Sequence, residues 1–277
     1  MRPVIDRRRG SGVTLVEMIV VIAVTGVLVA LVSLFGRRQI DAYFDVANRA
    51  ALTDAADTAL RRIGREVQGA LPNSVRSAGG NQFLEFVPVR DGGRYRGELT
   101  PAGTGNPLDL SNAADTTFDV LGPTVTAAAG DRLVIYNLGQ PGSDVYAGTS
   151  SRALTTTGAG LSALGFAGGQ FPFGSPRRRF QIVGGPVTYE CTATQLLRRW
   201  CYDFQAVQPT GGFAALPVHG ACAAVQTAVL VDNLAACNLN YVAGALARNG
   251  LVSISLTLSA NGEAVTLMHQ VEVLNAP

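Results

Sequence analysis

Apolar side chains dominate one uninterrupted stretch near the start of the chain. Residues 18–35 (MIVVIAVTGVLVALVSLF) contain no charged side chain, and this length is sufficient for a membrane-spanning helix. Arg residues at positions 7–9 precede the stretch, and Arg37 and Arg38 follow it. Because more basic residues lie before the span than after it, we expect a cytoplasmic N-terminus and an exported remainder.

After this stretch, the apolar residues are spaced with the period of a helix. They recur every three to four positions at Ile40, Tyr43 or Phe44, Ala47, Ala51, Ala55, Ala59, Ile63 and Val67. No Pro occurs between Pro3 and Pro72. The pattern therefore predicts one helix from about Thr14 to about Leu71, half of it within a membrane and half outside.

Alternation of apolar and polar positions predicts a β-hairpin near the C-terminus. The apolar positions are Val252, Ile254, Leu256, Leu258, Val265, Leu267, Val271 and Val273. Asn261-Gly262 lies between the two runs and favours a two-residue turn. One face of this hairpin is apolar, so we expect an antiparallel sheet covered by the exported half of the helix, an α+β fold.

The segment between the helix and the hairpin is rich in Gly and Pro. It predicts short strands at residues 83–89, 131–138, 180–183 and 187–190, with Asp91-Gly92-Gly93 as a turn. Residues 97–130 and 139–176 predict loops with short strands. We expect Phe166, Phe171 and Phe173 in the second of these regions to be anchored in the core.

Composition narrows the chemistry available to the chain. All 22 basic residues are Arg, so Schiff-base chemistry and the phosphate-binding Lys of a P-loop are excluded. The formal net charge is +2 and becomes −1 without residues 1–12. A nearly neutral chain gives no firm indication of nucleic-acid binding. A G-x-S-x-G nucleophile motif is also absent, so we expect no enzyme activity.

Four cysteines lie in the last third, at Cys191, Cys201, Cys222 and Cys237. They form no CxxC pair, and only His219 and His269 could supply imidazole, so we expect no metal site and no cofactor. Two disulfides in an oxidising compartment are expected instead. Of the three possible pairings, Cys191–Cys201 with Cys222–Cys237 is favoured, because a short segment with turn potential separates the first two.

The stretch Gly12-Val13-Thr14-Leu15-Val16-Glu17, with its basic leader, resembles the type IV prepilin processing motif. The resemblance implies cleavage between Gly12 and Val13 by a prepilin peptidase, which also methylates the new N-terminus at Val13. Glu17 then stands fifth in the mature chain, as the assembly carboxylate that meets the amine of a neighbouring subunit. Val13 departs from the Phe that is usual there.

Further stretches resemble the MshO type of minor pilin of mannose-sensitive haemagglutinin (MSHA) pili, a relative of J-type and W-type pseudopilins. They are residues 56–62, 70–76, 86–96 and 249–252. The resemblance implies a non-catalytic subunit that acts in initiation or at the tip of a pilus. Its partners would be other major and minor pilins, the inner-membrane assembly platform and the lipid bilayer.

This interpretation divides the chain into a leader peptide (1–12), a transmembrane segment (13–36), a periplasmic amphipathic helix segment (37–72) and a β-rich pilin domain (73–277). We expect a single-pass inner-membrane protein that moves into the filament.

Other interpretations remain open. A J-like pseudopilin of a type II secretion system is the nearest, followed by a membrane-anchored periplasmic enzyme and by an adhesin or DNA-uptake tip protein. The run Arg177-Arg178-Arg179 is interpreted as a solvated loop, and His269 as a packed core residue.

Overall fold

The computed structural model describes residues 12–244 and 249–276, without the side chains of residues 34–38, 40 and 41. Apart from Gly12, the expected leader peptide lies outside the described residues. One helix, α1, spans Leu15–Gln68, which confirms the single long helix. It ends three residues before the predicted Leu71, where Gly69 follows and Ala70 N–H bonds to the carbonyl oxygen of Val67.

Sixteen strands follow α1 in the chain, with one short 3₁₀ helix (Phe213–Ala215) between the twelfth and the thirteenth. They are β1 (Arg76–Ala78), β2 (Phe83–Phe86), β3 (Val89–Tyr95), β4 (Thr117–Leu121), β5 (Val125–Ala127), β6 (Arg132–Val134), β7 (Ser151–Leu154), β8 (Gly158–Leu161), β9 (Ala163–Ala167), β10 (Arg179–Val183), β11 (Val187–Cys191), β12 (Leu196–Trp200), β13 (Gln226–Val231), β14 (Leu234–Val242), β15 (Gly250–Ala260) and β16 (Glu263–Val273).

Within the described residues these strands form four antiparallel sheets. One has five strands in the order β1-β2-β11-β12-β13, and one has three in the order β14-β15-β16. A closed barrel has the order β10-β3-β4-β9-β7-β6, and β5 pairs with β8 alone. The fold is therefore α+β, as the sequence predicted, with more separate sheets than expected.

The chain divides into two compact units, Met1–Ala50 and Ala51–Pro277. In the second unit, α1 packs on both the five-stranded and the three-stranded sheet. Its buried side chains are Leu52, Ala56, Ala59, Leu60, Ile63 and Val67. Ala51 and Ala55 are exposed, so the predicted apolar stripe was wrong at these two positions. Leu52 and Ala56 take the inward places because a 3.6-residue period places them on the face of Ile63.

The predicted C-terminal hairpin is confirmed. Ala260 in β15 is the register partner of Glu263 in β16, which leaves Asn261-Gly262 as a two-residue turn. Both turn residues have positive φ, 52° and 84°, as the favoured hairpin turn requires. His269 on β16 is half-buried and faces α1, where a Cβ on Gly64 would lie 3.0 Å from its Nε2 atom. This glycine lets helix and strand approach closely.

The predicted turn at Asp91-Gly92-Gly93 is wrong, because these residues lie inside β3. They pair with β10, and a Cβ on Gly92 would lie 3.0 Å from the carbonyl oxygen of Phe180. A Cβ on Gly93 would meet the Phe180 ring at the same distance. The two glycines therefore allow β3 to lie close to β10 and do not mark a change of chain direction.

Phe residues form the centre of the barrel core. Phe118, Phe166, Phe171 and Phe180 are buried there, with the Phe118 and Phe180 ring centroids 5.4 Å apart. Phe166 and Phe171 thus agree with their predicted core role. Phe173 does not, since half of its surface is exposed.

The disulfide pairing differs from the one favoured by the sequence. Cys191 bonds to Cys237, and Cys201 bonds to Cys222. Cys191 is the register partner of Leu196 beside the β11–β12 turn, whereas Cys201 follows the far end of β12. Five extended residues place the two about 17 Å apart along the hairpin, well beyond the reach of a disulfide.

Candidate functional site

The N-terminal end of α1 is fixed by Thr14. Its Oγ1 accepts a hydrogen bond from the backbone N–H of Glu17 at 3.2 Å, and its carbonyl oxygen accepts one from Met18. This is the Thr-x-x-Glu pattern of a helix capping box, in which the capping side chain satisfies an otherwise free N–H. Thr14 therefore determines that the helix begins at Leu15.

The predicted cleavage bond lies immediately before this cap. Gly12 and Val13 are exposed and outside the helix, and 65% of the Val13 surface is accessible. A Cβ placed on Gly12 would have nothing within 4 Å in the described chain. Packing among the described residues therefore gives no reason for a glycine at position 12.

Glu17 lies in the first turn of α1 and is exposed. A helix N-terminus carries partial positive charge and so favours a carboxylate at this position. Within the described residues its side chain has no hydrogen-bond or ion-pair partner. The next residues along the helix are apolar, so burying this segment in an apolar environment would be costly unless the carboxylate gained a partner there.

An apolar helical segment begins at the same point. Leu15–Ser33 has a mean hydropathy of 2.8, and none of it is buried inside the protein. At 1.5 Å per residue it is roughly 28 Å long, close to the thickness of a bilayer's hydrocarbon core. Such an exposed apolar surface requires lipid or another apolar helix around it.

The candidate acids of the β-rich unit, Asp131, Glu190 and Asp203, each have a different partner. Asp131 pairs with Arg90, and Glu190 pairs with Arg199. Asp203 lies 3.2 Å from the His219 ring. Among the described residues no group of three or more potential ligands could hold a metal ion.

Sequence reasoning placed the start of the helix near Thr14 but missed the role of this residue as the helix cap. The Thr-x-x-Glu spacing directly before an apolar run was the signal that could have found it. With this cap, the site combines an exposed Gly12–Val13 bond, a defined helix start and Glu17 in the first turn of an apolar helix.

Of the comparisons with known proteins, one gives a match, and it covers this region of the chain. The family described as "Prokaryotic N-terminal methylation motif" matches residues 7–33. No curated protein matches the chain. No solved structure matches it either. The motif is a type IV prepilin-like signal and implies processing by prepilin peptidase and assembly with pilin machinery. It indicates a type IV pilin-like or pseudopilin protein anchored in a membrane.

Proposed function

We propose that this pilin-like chain is a minor pilin, a non-catalytic structural subunit that acts in initiation or at the tip of an MSHA-type pilus. The observation that carries the proposal is Glu17, a carboxylate in the first turn of an exposed apolar helix, without a partner among the described residues. The Gly12–Val13 bond lies four residues before it, in an accessible, non-helical segment. A subunit that polymerises through its N-terminal helix needs these features together.

Cleavage after Gly12 creates a charged amine at Val13 where the leader was. In a filament the Glu17 carboxylate of one subunit meets the Val13 amine of another, so two isolated charges become one pair. A carboxylate near the centre of a bilayer costs roughly 2.5–3.5 kcal/mol, and pairing offsets this cost. Removing one partner leaves the other uncompensated, which makes Glu17 necessary for docking and unnecessary for cutting.

The test is Glu17→Ala in cells that make the filament. We expect normal removal of the leader, normal abundance in the membrane and loss of the subunit from sheared filaments. Asp54→Ala, which removes an exposed acid farther along α1, is the matched control and is expected to assemble. Assembly of the Glu17→Ala protein at the control level would disprove the docking role.

The covalent state of the mature protein gives a second test. Mass spectrometry of the purified chain is expected to give an N-terminus at Val13 carrying one methyl group. Gly12→Val is expected to keep the leader, because the prepilin-like motif implies that the peptidase requires this glycine. A mature N-terminus beyond residue 35 would contradict membrane retention.

In this proposal the chain crosses the inner membrane once, with a cytoplasmic N-terminus and a periplasmic β-rich unit, before it enters the filament. A J-like pseudopilin of type II secretion is the second candidate, since the same motif directs both kinds of subunit. Deleting the chain separates the two. Loss of surface pili with normal secretion favours the first, and loss of secretion with normal pili favours the second.

A further inference from the structure

Three arginines meet on the outer surface of the barrel. Arg94 on β3 and Arg179 on β10 are register partners. Alternate residues Tyr95 and Phe180 point into the barrel core, so Arg94 and Arg179 point outward, where both are exposed. Arg94 Nε donates to the carbonyl oxygen of Arg177 at 3.2 Å, which places the exposed Arg177 beside them. These three residues are called the arginine cluster.

The Arg94–Arg179 pairing is a close one. Tyr95 N–H donates to the carbonyl oxygen of Arg178 at 2.8 Å, so the adjacent pair, Arg94 with Arg179, is of the non-hydrogen-bonded type. Side chains of such pairs stand closest, with Cβ atoms roughly 5 Å apart. Like charges directly opposite each other destabilise a sheet, and a bound anion between them would remove that repulsion.

The other arginines of the described β-strands and loops are compensated. Their carboxylate pairs are Arg76–Glu85, Arg90–Asp131, Arg96–Asp119, Arg178–Glu98 and Arg199–Glu190, with Arg198 bound to Glu66 on α1. Arg132 and Arg152 are partly buried and lie over aromatic rings. In this part of the structure, the arginine cluster thus holds the exposed guanidinium groups that have no carboxylate partner.

A constrained turn presents two members of the cluster. Arg178 N–H donates to the carbonyl oxygen of Ser175 at 2.9 Å and closes a turn with Pro176 at its second position. Arg178 has a φ of 55°, which is uncommon for a residue with a long side chain. Its side chain bonds to Glu98, so the turn is fixed while Arg177 and Arg179 on either side stay in solvent.

We propose that the arginine cluster binds the phosphodiester backbone of a nucleic acid strand. A guanidinium group matches the two oxygens of a phosphate in a bidentate contact. Arg177 in the turn and Arg179 at the start of β10 present two separate exposed guanidinium groups, so each can engage a different phosphate of one strand. Because the contacts are to phosphates alone, binding is independent of base sequence.

The nearly neutral total charge of the chain gives no indication of the arginine cluster. Ion pairs neutralise six other arginines in this part of the structure, so the total charge does not reveal the three that lie together on the barrel surface. The sequence also conceals the cluster, since Arg94 lies more than 80 positions from Arg177 and joins it only through the pairing of β3 with β10.

The test measures binding of the full-length protein, in nonionic detergent, to a fluorescently labelled oligothymidylate by anisotropy at several salt concentrations. Three phosphate contacts to a single strand predict a slope of log K against log salt of about −2. Replacing one arginine should reduce the slope by about 0.7 and weaken binding roughly eightfold at 50 mM salt. Arg177→Gln and Arg179→Gln are the test variants.

Arg65→Gln is the matched control, because it removes the same charge from an exposed position on α1. The melting temperature of each variant shows whether it is folded, and that of Arg179→Gln is expected to equal or exceed the native value because repulsion with Arg94 is lost. Absence of binding, equal weakening in Arg65→Gln, or binding of dextran sulfate but not of the oligonucleotide would each overturn the proposal.

Discussion

Glu85 in β2 has no accessible surface, yet it is held among polar groups. Arg76 Nε lies 2.5 Å from one carboxylate oxygen, and the Tyr202 hydroxyl donates to the other at 2.8 Å. Burial raises the pKa of Glu85, and the attraction of Arg76 only partly opposes this effect. Arg76 in turn lies 3.5 Å from the centre of the Tyr146 ring. Glu85 thus connects β2 directly to Tyr202, and through Arg76 to Tyr146.

Replacing Arg76 with Met should destabilise the protein by about 3–5 kcal/mol at neutral pH, because a buried carboxylate loses its counter-ion. The folded-state pKa of Glu85 lies above its unfolded value, so protonation favours the folded protein. The loss should therefore shrink as the pH falls toward about 4.3, the ordinary Glu value. Denaturant unfolding at several pH values measures this effect. Arg76→Met with Glu85→Gln should recover much of the stability, and an equal loss at pH 4 and pH 7 would contradict the explanation.

At the scale of elements, Glu66 joins α1 to the five-stranded sheet. It accepts hydrogen bonds from Arg198 Nε on β12 at 3.0 Å and from Arg62 Nε at 3.2 Å. Partial burial acts to raise the pKa of Glu66, but the attraction of Arg198 and the hydrogen bonds outweigh it, so the pKa is lowered. The pKa of Glu66 is therefore shifted in the opposite direction to the pKa of Glu85.

Glu66→Gln is expected to cost about 1–2 kcal/mol at neutral pH, since a charged hydrogen-bond acceptor becomes a neutral one. With the folded pKa below the unfolded value, this contribution is present above about pH 4.3 and is lost as the pH falls through the folded pKa. The difference in unfolding free energy between native and variant protein should narrow in acid. Asp57→Asn, which breaks an exposed pair with Arg61, should leave the stability close to the native value, because water screens such pairs.

Local patterns predicted the parts of the fold that local chemistry determines. Asn261-Gly262 and the alternation around it specify a hairpin because its strands are adjacent in the chain. The Thr14 to Glu17 region carries its own helix start and its processing motif. The barrel was not predicted, because β10 pairs with β3 and β6 across distant loops. The glycines of β3 resemble turn residues in the sequence, and only their pairing with β10 shows that they belong to a strand.

At the scale of the whole molecule, the Cys191–Cys237 disulfide joins β11 of the five-stranded sheet to β14 of the three-stranded sheet. Its loop has a sequence separation of 46 and encloses Cys201–Cys222, with a separation of 21. Both sheets also contribute to the core under α1. The disulfides are therefore nested, a pairing that local spacing could not predict because it depends on which strands lie together.

Removing each disulfide separately should have unequal effects. In the chain-entropy description, replacing Cys191 and Cys237 with Ala should cost about 4 kcal/mol, and replacing Cys201 and Cys222 should cost about 3 kcal/mol. Denaturant unfolding under non-reducing conditions measures both losses. Peptide mapping of the native protein should recover the two nested links, and a peptide that joins Cys191 to Cys201 would contradict the pairing.

The nested links also limit how far the polypeptide can lengthen under mechanical load. A pull applied between the two ends of the chain would reach the Cys191–Cys237 bond and bypass the 46-residue segment that it spans. At about 3.4 Å per extended residue, roughly 150 Å of contour length stays unavailable until that bond is reduced. The contour length measured by force spectroscopy should differ by this amount with and without a reductant. An oxidised subunit would therefore extend less before it ruptures.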